Sequence, residues 1–175
     1  FWSLNIGRMP HVSRGSIKIE KPKIIPSEER ECWGAYNNVM SPLKEPQQSA
    51  NVRSVSQAFA GLTEIIHDSQ HLLYEPRDGA LSQKMLAVYR QYLEWYADLP
   101  EVLRLGSNST PSVLFAHIYY HFSLIMFFRP FLRLRFHNSH VVPRDICFQA
   151  AEAVSRLVNS YRQMHSLRRT PCLLP

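Results

Sequence analysis

An all-α domain is the fold this sequence predicts: an irregular helical architecture around a central buried helix, with an extended N-terminal segment. Apolar residues recur at threes and fours through separate stretches after Val52. Twelve prolines against six glycines lie mainly between those stretches, where a residue without an N–H donor stops a helix. With 175 residues, 45% apolar and 11% aromatic, the chain can fill one core of ordinary size.

Taken in order, residues 1–26 carry scattered Pro and Gly, and "SIKIEKPKIIP" alternates Ile17 and Ile19 with Lys18 and Glu20, as a short strand or extended loop would. Residues 27–51 lack periodicity and collect Pro, Gln, Ser and Asn, so they read as a variable, poorly ordered insertion. From Val52, Val55, Phe59, Leu62, Ile66 and Leu73 form one face of a helix over 54–74, with Glu64, Asp68 and Gln70 largely outside it. A second helix over 81–98 presents Leu81, Met85, Val88, Tyr92 and Trp95 or Tyr96, and Pro100 closes it.

The third helix, 111–129, opens on Thr110 as N-cap with Pro111 at its first position. Apolar residues surround "SVLFAHIYYHFSLIMFF", which is marginal for a bilayer span of about 20 apolar residues and is interrupted by His117, His121 and Ser123. Its amphipathic neighbours favour a central buried helix over a membrane segment. Pro130 ends or kinks it. The fourth helix, 144–163, begins near Pro143 with Asp145 in its first turn and places Ala150, Ala151 and Ala153 where a neighbour can approach closely.

The net charge of +6 is unevenly placed: residues 1–128 carry 12 basic and 12 acidic groups, 129–175 carry 8 and 2. The excess arginines are interleaved with apolar helical pattern, unlike a solvent-facing basic stripe with stacking aromatics, which argues against direct DNA contact by this segment. Three separated cysteines, Cys32, Cys147 and Cys172, leave one over in any disulfide scheme and fit a reducing compartment. They are also too few and too widely spaced for a zinc cluster within these residues. Phe1 and the apolar "TPCLLP" at the other end read as cut ends, and the chain as an internal fragment.

Catalytic signatures are missing. No G-x-S-x-G elbow or glycine-rich phosphate cradle occurs, and the carboxylates single out no acid/base pair. His117 and His121 stand four apart on one helix, where two imidazoles can face one metal, but Ile118 replaces the glutamate of the zincin pattern. The alternatives are core histidines bonded to neighbours, or ligands of a helical ligand-binding or metal-dependent enzyme. Arg129 has two readings as well: capping the last carbonyls of its helix, or presenting its guanidinium to an acidic group at a pocket or subunit surface.

Read in order, "GRMP", "YLEWYADLPEVLRL", "PSVLFAHIYYHFSLIMFFRPFL" and "CFQAAEAVSRLVNSYRQMHSLRRTP" resemble the fungal-specific transcription factor domain, or middle homology region, of fungal binuclear zinc-cluster transcription factors. The resemblance covers about 1–20 and 52–175. Gly7, Arg8 and Pro10 match its first string, with Met9 where proline is usual. Trp95, Leu99, Pro100, His117, His121, Arg129, Pro130, Phe131, Cys147, Ala150 and Ala151 match the later ones. "YRQYLEWYADLP" and "SLRRTP" look similar to the nitrogen-assimilation branch.

The resemblance implies a partial, non-catalytic regulatory domain in a nuclear protein that controls transcription by RNA polymerase II. It implies no cofactor here, zinc in an absent DNA-binding domain, and DNA contact through that absent cluster. It further implies transcription machinery or co-regulators as partners, leaves room for a small-molecule effector and a homodimer, and implies no membrane. Trp95, His117, His121 and Arg129 are the candidate regulatory or pocket residues.

Overall fold

The computed structural model describes residues 4, 7–12, 16, 19–33, 48–74, 81–136 and 139–164. Through them run a short α1 (Pro26–Glu29), then α2 (Val52–Tyr74), α3 (Leu81–Ala97), α4 (Pro111–Phe128) and α5 (Pro143–Met164), with 3₁₀ turns at Glu101–Leu103 and Arg129–Phe131. The long helices fall within two residues of the bounds that periodicity and proline placement predict. Among the described residues there is no strand, only an antiparallel bridge between Cys32 and Ser49. Ile17, Lys18, the "EPRD" that follows α2 and the "SLRRTP" that follows α5 lie outside the described residues, while Ile19–Ile25 carry neither helix nor strand.

Of the 27–51 stretch, 34–47 lie outside the described residues. Its described ends are tied to the helices. Glu29 caps the start of α2, with Oε1 accepting from the backbone N–H groups of Arg53 at 2.9 Å and Ser54 at 3.2 Å and Oε2 accepting from the Ser54 hydroxyl. These N–H groups have no partner within their own helix, and a carboxylate also suits the positive helix end. The Glu28 carboxylate takes both arms of the Arg53 guanidinium, and this hydrogen bond holds its pKa below the usual value. Gln48 accepts from the Ser109 backbone N–H at 3.0 Å, tying the other end to the approach of α4. Glu29→Ala is expected to cost about 1 kcal/mol through loss of this cap, read as a lower urea midpoint at unchanged slope.

Helix α4 is the hub. Val113, Leu114, Ala116, Ile118, Tyr119, Tyr120, Leu124, Phe127 and Phe128 are all buried, around most of its circumference. It is long and apolar enough to cross a membrane by length and composition, but here most of that surface is covered by the other helices, with Phe115, Phe122, Ile125 and Met126 partly buried. Leu114 and Ile118 near its start meet Leu157 and Tyr161 near the end of α5, while its C-terminal half shares a cluster with Ile146, Cys147 and Ala150, so the two helices run antiparallel. Ala150 is buried at this contact and Ala151 faces solvent. On the other side, Phe59 of α2 stacks at 5.8 Å on Phe115 and 5.2 Å on Tyr119.

Helices α2 and α3 are also antiparallel: Trp95, near the end of α3, donates its indole N–H to the Ala58 carbonyl near the start of α2 at 2.9 Å. Gly61, one turn on, lies against the indole, where an added Cβ would meet the ring in ordinary van der Waals contact at 3.5 Å. Three helices meet at a buried polar point. Tyr92 of α3 lies 3.3 Å from the Ser69 hydroxyl of α2 and hydrogen-bonds Ser123 of α4, and burial pushes its phenol up to about 12.

Two local expectations change. Leu72 and Gln70 are buried and Leu73 only partly so, because the N-terminal segment covers that flank of α2, with the Gln70 amide reaching the Arg8 carbonyl at 3.5 Å. Thr110 occupies the N-cap position of α4, and its carbonyl accepts from Leu114 at 3.0 Å. Its side chain does not cap: the hydroxyl is buried without a partner among the described residues, and Asn108 shapes the turn by accepting from the Thr110 N–H at 2.8 Å.

Candidate functional site

Helical spacing puts Trp95 and Tyr96 on α3 opposite His117, Tyr120 and His121 on α4, and the fold closes these residues into one aromatic–imidazole cluster. Trp95 stacks on Tyr120 at 5.4 Å, and Tyr96 packs on Tyr120 at 4.8 Å. The Tyr96 ring lies edge-on to His117 at 5.4 Å and tilted to His121 at 6.1 Å. Such contacts match the quadrupole preferences of aromatic rings and fix the α3–α4 crossing.

His117 is buried, and its Nε2 donates to the Leu103 carbonyl at 2.8 Å. A carbonyl can only accept, so Nε2 carries the proton and Nδ1 presents a lone pair, which is buried with no partner among the described residues. Burial lowers the His117 pKa, with the Leu103 bond opposing in part. For His121, burial, then the nearby His117 and Arg156, lower it to about 4. Both rings are therefore neutral at physiological pH.

Beside the cluster lies an open groove of about 440 Å³, lined by Tyr96, Ala97, Leu99, Arg104, Leu105 and His117. Its far wall is built by the 3₁₀ turn after Pro100. Arg104 is anchored there, with Nε donating to the Leu99 carbonyl at 3.2 Å and an Nη to that of Ala97 at 3.4 Å. The groove thus joins an oriented guanidinium to an aromatic wall, a combination suited to a small ligand with an anionic or acceptor group.

Of the four residues singled out from sequence, the structure brings Trp95, His117 and His121 together and leaves Arg129 apart. Arg129 lies two to three turns further along α4, exposed, and its backbone N–H bonds Ile125 as the helix ends. Its guanidinium makes no hydrogen bond among the described residues, so the helix closes through its backbone and the 3₁₀ turn over Pro130. Tyr96, Tyr120 and Arg104 complete the site. Tyr96 was legible only as an alternative to Trp95, and Arg104 had no sequence signal because its role depends on how the turn after Pro100 folds back.

The described donors do not suit a closed zinc cluster. No group of three or more His, Cys, Asp or Glu side chains converges among the described residues, where Cys32 is exposed and Cys147 partly buried in α5.

The chain is similar in sequence to known proteins. It is 30% identical over 178 residues to the nitrogen assimilation transcription factor nirA of Emericella nidulans, a match taking in 95% of this chain and 20% of that protein. Over 177 residues it is 27% identical to the nitrogen assimilation transcription factor nit-4 of Neurospora crassa, covering 95% of this chain and 16% of that protein. These relatives are fungal transcription factors. The chain spans a fifth or less of the length of the curated relatives it matches. No family model matches it. No solved structure matches it.

Proposed function

We propose that this chain is a non-catalytic regulatory region of a fungal zinc-cluster transcription factor of the nitrogen-assimilation type, acting in the nucleus on transcription by RNA polymerase II. The observation that carries the reading is the likeness to nirA and nit-4 along 95% of the chain. DNA is then read by a zinc cluster elsewhere in the protein, and the helical region tunes what that cluster does with co-regulators or the transcription machinery. The Trp95, His117 and His121 cluster supports this role as the rigid joint between α3 and α4, and the groove beside it is the place for a small-molecule effector. The enzyme reading of His117 and His121 is less well supported, because His117 Nε2 is committed to Leu103 and the Tyr96 ring lies against both imidazoles.

Two measurements test this. The 175-residue chain is expected to show no sequence-selective binding to duplex DNA at about 0.15 M salt, where non-specific attraction to phosphates is weakened. Tight, selective binding would move base readout into this region and refute the assignment. In the full-length factor, Arg129→Ala is expected to leave protein abundance intact, because an exposed guanidinium with no hydrogen bond among the described residues changes stability by less than about 0.5 kcal/mol. Altered reporter induction at normal abundance would identify Arg129 as a surface contact; reduced abundance would give it a structural role.

A further inference from the structure

His67 and His71 lie one turn apart on α2, away from the site above. Their Nε2 atoms are 3.1 Å apart, their ring centroids 4.4 Å, and the Val12 carbonyl oxygen sits 3.1 Å from His67 Nε2. His71 Nε2 and the Val12 oxygen thus each lie at the same short distance from His67 Nε2. One proton on His67 Nε2 can point at Val12 or at His71 but not well at both, and without it the His67 lone pair faces the carbonyl oxygen. A cation between the two imidazoles receives a lone pair from each ring.

The spacing also suits a metal. Two imidazole nitrogens held at about 2.0–2.1 Å from one zinc ion in tetrahedral geometry lie roughly 3.3 Å apart, close to the separation of this pair. The outer side of His67 agrees. Ligation through Nε2 leaves the proton on Nδ1, which is buried without a hydrogen bond among the described residues, and Asp68 Oδ1 is the nearby carboxylate at 3.5 Å.

We propose that His67 and His71 bind one divalent transition-metal ion of the zinc class, with the Val12 main-chain oxygen and water completing the coordination. Since no third His, Cys, Asp or Glu joins the pair among the described residues, the site is open and exchangeable, unlike a closed structural one. Occupancy fastens the segment around Val12 to α2. The proposal is independent of the regulatory reading and uses none of its residues.

The test is calorimetric titration of chelator-treated protein with zinc chloride at about pH 7.5. One equivalent is expected to bind with a micromolar dissociation constant. His67→Ala and His71→Ala should each weaken binding about tenfold or more, and Asp68→Asn, which keeps both ring ligands, should weaken it toward the lower end of that range. His140→Ala, at an exposed position, serves as the control and should bind as the parent does. Far-UV circular dichroism confirms that each variant is folded. No binding at micromolar zinc, or binding unchanged in both histidine variants, would overturn the proposal.

Discussion

Phe127→Ala is expected to destabilise the domain by about 3–5 kcal/mol. The ring is fully buried in the main core cluster, 6.1 Å from Tyr92 and 5.0 Å from Phe128, so its removal loses transfer free energy and leaves a cavity that neighbours on several helices cannot jointly fill. A loss of that size approaches the whole margin of a domain, about 5–15 kcal/mol. Leu124→Ala, at 5% exposure, should fall at about 2–4 kcal/mol, and Phe122→Ala should cost less because that ring is only half-buried. Phe148, 73% exposed on α5, is the internal comparison: its alanine variant should shift stability by less than about 0.5 kcal/mol. Urea midpoints for Phe127→Ala and Phe148→Ala that coincide would show that α4 is not the core.

Acid should weaken the fold well before its carboxylates titrate. The His121 and His117 pKa values are both lowered in the folded state, His121 to about 4 from an ordinary 6.5. The unfolded chain therefore takes up protons below about pH 6.5 that the folded chain refuses. Stability is held above that point and is lost as pH falls toward the folded value, with a slope of up to about 1.4 kcal/mol per pH unit for each histidine. Between about pH 7.5 and 5, His121 is expected to contribute about 1–2 kcal/mol of the loss, allowing for partial exposure of the ring. His121→Leu should flatten that part of the profile while His117 keeps a residual slope. Parent and variant profiles that run parallel would contradict the placement of His121.

Much of this architecture was legible because it depends on local rules. The 3.6-residue period marks α2, α3 and α5, the Thr110-Pro111 pair marks where α4 begins, and Pro130 marks where it stops. The all-round apolar composition of α4 already placed it at the centre. Features that depend on tertiary contact were not readable. Gln70 looks solvent-facing until the chain near Arg8 covers it. Ser69 and Ser123 gave no sign that they would surround the Tyr92 hydroxyl. The site divided along the same line: Trp95, His117 and His121 stood out through residue type and motif order, whereas Arg104 acquires its place only when the turn after Pro100 returns it to the ends of α3.

The burial of α4 between helices before and after it in the chain also sets an order of assembly. Helices α2 and α3 precede it in the chain, but Leu114 and Ile118 are covered by Leu157 and Tyr161, close to the end of α5. A nascent chain that has emerged only as far as the end of α4 exposes that apolar flank to solvent until about thirty more residues have followed, at a synthesis rate of about 5–20 residues per second. For those seconds the exposed flank is a target for chaperones and for other unfinished chains, and a product ending before residue 143 keeps it bare permanently.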